Sequence, residues 1–335
     1  MLHYFGFSGL VTVAAVLLAL LTLGPAAALT TLVLIAIEIA FSFDNAIINA
    51  KVLERLSHLW QQMFLTVGMI IAILGMRLVF PVLVVMVTAH LPWSQVISEA
   101  LHQPTVYGSH LKEAHATIAA FGGGFLLTLA LYFLFDDTRE VRWLERLERP
   151  LQRLGGSIWL PPLVTAVIVA LVALFAGNHA AVLRAGAVGV LSYTAIKLFI
   201  DALGRLAPGG NQHYTGWVAA LAFVYLQVLD ASFSFDGVLG AFAITDKVLL
   251  IALGLGVGAI WVRSLTVFMV RRGTLKAYIY LEHGAHYAIV VLAAALLSSI
   301  FFNLPDAVTG IVGLGVIGAS FVASHQAKQA RQNSG

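Results

Sequence analysis

At 335 residues, 60% hydrophobic and 10% charged, the chain carries far fewer charges than a globular protein, where about a quarter of residues are charged. That composition, with a mean hydropathy of +0.93, is that of an integral membrane protein. The absence of cysteine excludes disulfides, thiolate metal sites and cysteine nucleophiles, and a net charge of +3 gives no footprint for nucleic acid.

A membrane span needs about 20 predominantly apolar residues. Ten stretches of the sequence qualify: 5–24, 26–52, 63–89, 114–135, 161–177, 180–203, 217–243, 246–270, 284–302 and 306–323. The first is followed by Ala26-Ala27-Ala28 and so resembles a secretion signal, but its flank lacks Lys and Arg and its apolar run is long for a signal core. It is therefore expected to be a span. The stretches 26–52 and 217–243 exceed what a bilayer requires, which allows tilt or a break. Between the third and fourth spans, the segment 90–113 with its neighbour His115 is rich in His and Glu (His90, Glu99, His102, His110, Glu113); it reads as a polar loop or a weak metal vestibule. The segment 136–156 holds five Arg and five acids, with Trp143, Leu144, Leu147, Leu151 and Leu154 at helical spacing, and predicts a short amphipathic helix at the membrane surface. Lys197 and Asp201, four apart, predict a local ion pair.

With ten spans, thirteen of the nineteen Lys and Arg fall on the side of the termini and three on the other. The positive-inside rule then puts both termini in the cytoplasm of a multi-pass protein of the cell (inner) membrane.

The chemistry lies in a repeated string. Glu38-x-x-x-Ser42-x-Asp44-Asn45 stands inside the second stretch, and Asp230-x-x-x-Ser234-x-Asp236-Gly237 inside the seventh, 192 residues on. A carboxylate in hydrocarbon is costly and normally faces a bundle interior or an ion path. Further features recur in order: Gly68 nine residues before Arg77 and Gly254 nine before Arg263, Ala114-His115 and Ala285-His286, Pro161 to Thr165 and Pro305 to Thr309. Spans 1–5 thus match spans 6–10, and an odd number per repeat inverts the second copy, the plan of secondary transporters. The expected fold is an all-α membrane domain over 1–335. Its first repeat covers 1–177, including the charged loop 136–156, its second covers 178–325, and residues 326–335 form a cytoplasmic tail.

On a regular helix Glu38 and Ser42 share a face, but Asp44 lies roughly 240° round from Glu38. Convergence of these oxygens predicts broken helices near 38–45 and 230–237, at Asp44-Asn45 and Asp236-Gly237. The candidate metal set is Glu38, Asp44, Asp230, Asp236, Ser42, Ser234 and Asn45, oxygen donors that suit Mn²⁺, Ca²⁺ or Mg²⁺. Arg77 and Arg263 are expected to balance charge by orienting the carboxylates, and His115 and His286 are candidate proton relays or helix-end hydrogen-bonding groups.

At these residues the sequence resembles the TerC family of integral membrane proteins, in the branch catalogued as a domain of unknown function. The resemblance implies a divalent-metal transporter, with manganese export the best-supported role and a name taken from tellurium resistance. It also implies that Glu38, Asp44, Asp230 and Asp236 carry metal or protons. The expected function is secondary transport of a divalent cation as substrate, with no organic cofactor, no enzymatic step and no nucleic-acid partner. The alternatives are a membrane scaffold that serves metal homeostasis without transport of its own, and an intramembrane aspartyl protease. The lipid bilayer and the metal ion are the expected partners, and the architecture admits a homo-oligomer.

Overall fold

Two long apolar helices, α1 (Leu2–Leu23) and α2 (Pro25–Phe41), meet at Gly24, whose φ of 90° is open to glycine but strained for other residues. Pro25 opens α2 at a position whose N–H has no intrahelical partner anyway. The chain continues through α3 (Phe43–Leu53), α4 (His58–Leu65), α5 (Val67–Ile70), a π-helical segment (Ile71–Val79), α6 (Phe80–Thr88), α7 (Trp93–His102) and α8 (Pro104–Leu134). Then follow α9 (Glu145–Leu154), α10 (Leu160–Phe175), α11 (His179–Leu206), α12 (Gly216–Phe242), α13 (Val248–Arg272), α14 (Thr274–Ala277), α15 (Leu281–Ser299) and α16 (Asp306–Asn333). This computed structural model describes residues 2–206, 213–242, 244–245, 247–302 and 306–333; within them, the side chains of residues 2–3, 41, 76, 200, 203–206, 231–236, 239–240, 242, 306–307 and 331–333 lie outside the description. Among the described residues there is no strand, only an isolated bridge between Leu56 and Tyr214.

Among the described residues seven helices are long and apolar enough to cross a membrane, and α2 with α3, bent by 52°, forms an eighth candidate. Two shorter apolar helices, Leu160–Phe175 and Gly216–Asp230, lie on the fifth and seventh predicted stretches. The outward faces carry large apolar side chains, such as Leu21 at 82% and Phe175 at 79% exposure. Contiguous apolar exposure of this kind is foreign to a water-soluble monomer and is what lipid covers. The protein is thus an all-α, multi-pass membrane protein.

The chain forms two compact units, Met1–His115 with Gln212–Arg272, and Ala116–Asn211 with Gly273–Gly335, so each draws on both halves of the sequence. In the first, α13 is the central element: it packs along α1, α2, α3 and the π segment, and nearly every face of it is buried. In the second, α10 packs along α11 and α15 along α16. There Lys197 holds Asp201 at 2.6 and 2.5 Å, as their spacing predicts.

Three expectations need correction. The segment 90–113 is largely helical, in α7 and the start of α8, because Pro92 and Pro104 each open a helix rather than a loop. The break expected near 38–45 is present, but it falls at Ser42, between α2 and α3, rather than at Asp44-Asn45. In the second motif α12 runs unbroken through Gly237. One glycine costs a helix only about 1 kcal/mol, which burial of the surrounding apolar residues readily offsets.

The 136–156 segment does contain a helix, α9, but its buried side chains are polar. Glu148 is fully buried and Gln152 nearly so, whereas Leu144, Leu147 and Leu154 are exposed. The leucine row faces outward, where lipid can meet it, and the polar row faces protein.

Candidate functional site

Four intramembrane charges meet in the first unit as two ion pairs. Arg77 Nη2 donates to Glu38 Oε1, and Arg263 Nη2 donates to Asp230 Oδ2. All four side chains are buried, which is tolerable in an apolar interior only when each charge has a partner.

Glu38 stands one turn before the break at Ser42, and the Ser42 hydroxyl donates to its Oε1 at 3.2 Å. Arg77 comes from the π segment and returns its Nη1 to the Ala72 carbonyl, five residues back, at 2.9 Å. Asp230 also accepts from the amides of Asn45 and Asn49, at 3.1 and 2.7 Å on Oδ1. Arg263 reaches the Phe64 carbonyl at 3.0 Å and Gln227 Oε1 at 3.2 Å, with its guanidinium 4.2 Å from the centre of the Phe64 ring.

Glycines make the close approaches. A Cβ on Gly68 would stand 2.7 Å from Arg263 Nη1, and one on Gly258 would stand 2.4 Å from Glu38 Cβ. Any side chain at either position would displace a member of an ion pair. Gly237 is looser: a Cβ there would lie 3.2 Å from Glu38 Oε2.

Glu38, Ser42, Asn45, Asp230, Arg77 and Arg263, with Ala72, Ala259 and Val262, line one small cavity. The space open to the centre of a water-sized sphere is about 10 Å³, enough for about one water or one bare ion. Asn45 Oδ1 and Asn49 Oδ1 are buried without a partner among the described residues. Both amides give their N–H to Asp230, so the oxygens are left as free acceptors for a donor or a cation.

The candidate set is therefore only partly assembled. Asp44 is buried, but its Oδ1 takes the N–H of Asn45 and it does not line the cavity. Ser234 and Asp236 lie outside the described side chains. Neither His115 nor His286 lines the cavity; His286 hydrogen-bonds the Glu282 carbonyl of its own helix at 2.8 Å and stacks on Phe133. No three His, Cys, Asp or Glu side chains converge as a metal-holding group among the described residues. In the 90–113 segment, His110 has Glu99 at 3.5 Å on Nε2 and Glu113 at 3.9 Å on Nδ1, on opposite edges of the ring, so the three do not focus on one point.

Asn49, Gln227 and Phe64 were not foreseen. The first two had a signal: Asn49 follows Asn45 by one turn, and Gln227 precedes Asp230 by three, each a polar residue on the motif face of an apolar helix. Phe64 acts through its carbonyl and ring, which no side-chain pattern announces.

A family model described as a protein of unknown function (DUF475) matches residues 43–331. That stretch includes Asp44, Asn45, Arg77, Asp230, Asp236 and Arg263, and starts after Glu38 and Ser42. No curated protein and no solved structure matches the chain.

Proposed function

The chain belongs to the family of proteins of unknown function DUF475, and we propose that it is a ten-span, inverted-repeat secondary transporter that exports a hard divalent cation, foremost Mn²⁺. The observation that carries this is the cavity in which two ion pairs from matching positions, Glu38–Arg77 and Asp230–Arg263, face one ion-sized space. Intramembrane charges gathered at a cavity are the mark of an ion path.

The donors support the substrate class. Glu38, Ser42, Asn45 and Asp230 offer carboxylate, hydroxyl and amide oxygen, and among the described residues the lining holds no imidazole, thiol or thioether. Such a set suits Mn²⁺, Mg²⁺ or Ca²⁺ over softer metals. Across the two motifs Glu38, Asp44, Asp230 and Asp236 outnumber Arg77 and Arg263 by two, while within the cavity itself Glu38 and Asp230 are balanced by the two arginines. In this reading the ten crossings are the seven long helices found among the described residues, the bent pair and the two shorter apolar helices. The excess of bases on the side of the termini sets both in the cytoplasm. Manganese as first choice comes from the TerC resemblance.

The test is metal flux into proteoliposomes. Wild-type protein is expected to carry Mn²⁺ above the leak of empty vesicles, and Glu38→Gln to lose at least nine-tenths of that flux. Wild-type flux no greater than the leak would overturn the function. Flux that survives in Glu38→Gln would move the ion path away from this cavity.

A further inference from the structure

The two arginines occupy matching sequence positions but are held differently. Arg263 lies in the regular helix α13, on the Phe64 carbonyl, Gln227, Asp230 and the Phe64 ring. Arg77 lies in the nine-residue π segment and has two described partners, Glu38 and the Ala72 carbonyl within its own segment. π-helical turns are uncommon and are frequently found at functional sites. The carboxylates differ likewise. Asp230 is shared among Arg263, Asn45 and Asn49, while Glu38 has Arg77 and the Ser42 hydroxyl on Oε1, with Oε2 directed at Gly237, where no side chain intervenes.

We propose that Arg77 is the resident counter-cation of the empty carrier, displaced from Glu38 when the metal binds, whereas Arg263 is a fixed strut. The proposal rests on the transport function above and adds how the site is neutralised between cycles. A carrier that returns empty must move Glu38 through hydrocarbon without its metal, at the cost of a bare intramembrane charge. The guanidinium removes that cost. It cannot stay on Glu38 beside a divalent ion, because the two cations repel at such range and the cavity has room for one small occupant. The π segment supplies the motion. It holds its extra residue within the turn, and passing that residue along the helix rotates Arg77 by about 100° about the axis without breaking the span.

Exchange and net flux separate this from a structural role. Exchange of Mn²⁺ for Mn²⁺ never needs the empty carrier to return; net export does. Arg77→Gln is expected to bind Mn²⁺ at least tenfold tighter by calorimetry in detergent, because the competing cation is gone. In proteoliposomes its ratio of exchange to net flux should rise at least tenfold over wild type. Arg263→Gln should lose exchange and net flux together. Arg77→Lys, a weaker competitor that keeps the charge, should bind Mn²⁺ at least threefold tighter than wild type, and it carries the test if Arg77→Gln does not fold. Weaker binding in the Arg77 variants, or a proportional loss of exchange and net flux, overturns the proposal while leaving transport intact. Wild-type protein that neither binds nor exchanges Mn²⁺ overturns the transport function itself.

Discussion

Asp230→Ala is expected to destabilise the protein by about 3–5 kcal/mol, the usual cost of removing one partner from a buried ion pair. The loss comes from what remains behind. Arg263 is 2% exposed and would keep only the neutral oxygens of Phe64 and Gln227 as acceptors. The amides of Asn45 and Asn49 would both lose the acceptor they share. Adding Arg263→Met should recover part of the loss, because an apolar side chain of similar length removes the uncompensated charge. Recovery should stop short of wild type, since each orphaned amide still costs about 1–3 kcal/mol. Thermal denaturation of the single and double variants in the same detergent reads the difference. A double variant no more stable than Asp230→Ala would mean that the loss lies in packing rather than charge, and that the ion pair is not what holds α12 to α13.

How much of this was legible follows from how each feature is written in the chain. Glu38, Asp230, Arg77 and Arg263 stood out because a charge in a long apolar run is rare and expensive. All-helical membrane architecture followed from the same runs, and the ion pair of Lys197 and Asp201 from simple helical spacing. Local geometry was harder. Asn45 and Gly237 tolerate a break without requiring one, so the bend settled at Ser42 and α12 kept its helix, with Gly237 serving close approach to Glu38 instead. The π segment has no composition of its own: Ile71 to Val79 reads as ordinary apolar helix. The division into units was hidden for a different reason. A repeat is a relation between sequence halves, whereas packing recruited helices from both halves into each unit. Nor could the pattern of α9 say which face turns inward. In water the leucines would; against lipid it is Glu148 and Gln152 that need the protein.

That inversion makes Glu148 the second residue whose loss should be felt strongly, with a dependence on pH that can be given a sign. Glu148 caps its own helix by accepting the backbone N–H of Leu144 and Trp143, at 3.1 and 3.2 Å. It also takes the Tyr287 hydroxyl at 3.2 Å and has His283 at 3.5 Å and Arg139 at 3.8 Å. Burial pushes its carboxyl upward, but the His283 contact, the Leu144 N–H and the Arg139 charge outweigh it and hold the group down at about 2, below the ordinary 4.5. A carboxyl whose folded value is depressed contributes its full stability above the unfolded value and loses it as pH falls through the folded one. The contribution of Glu148 ionisation to the docking of α9 should therefore be constant above about pH 4.5, weaken between 4.5 and 2, and have lost about 3 kcal/mol below that window. Glu148→Gln still accepts the Leu144 N–H but has no charge for Arg139 or His283, so it should be loosened at neutral pH and show no further change through the window. Hydrogen exchange of the α9 amides, corrected for the intrinsic rate at each pH, reads both effects. Parallel profiles for wild type and Glu148→Gln from pH 5 to pH 2 would sink the assignment. A step confined to wild type would place the anchor of this helix on one buried carboxylate, because its outward leucines have no protein to grip.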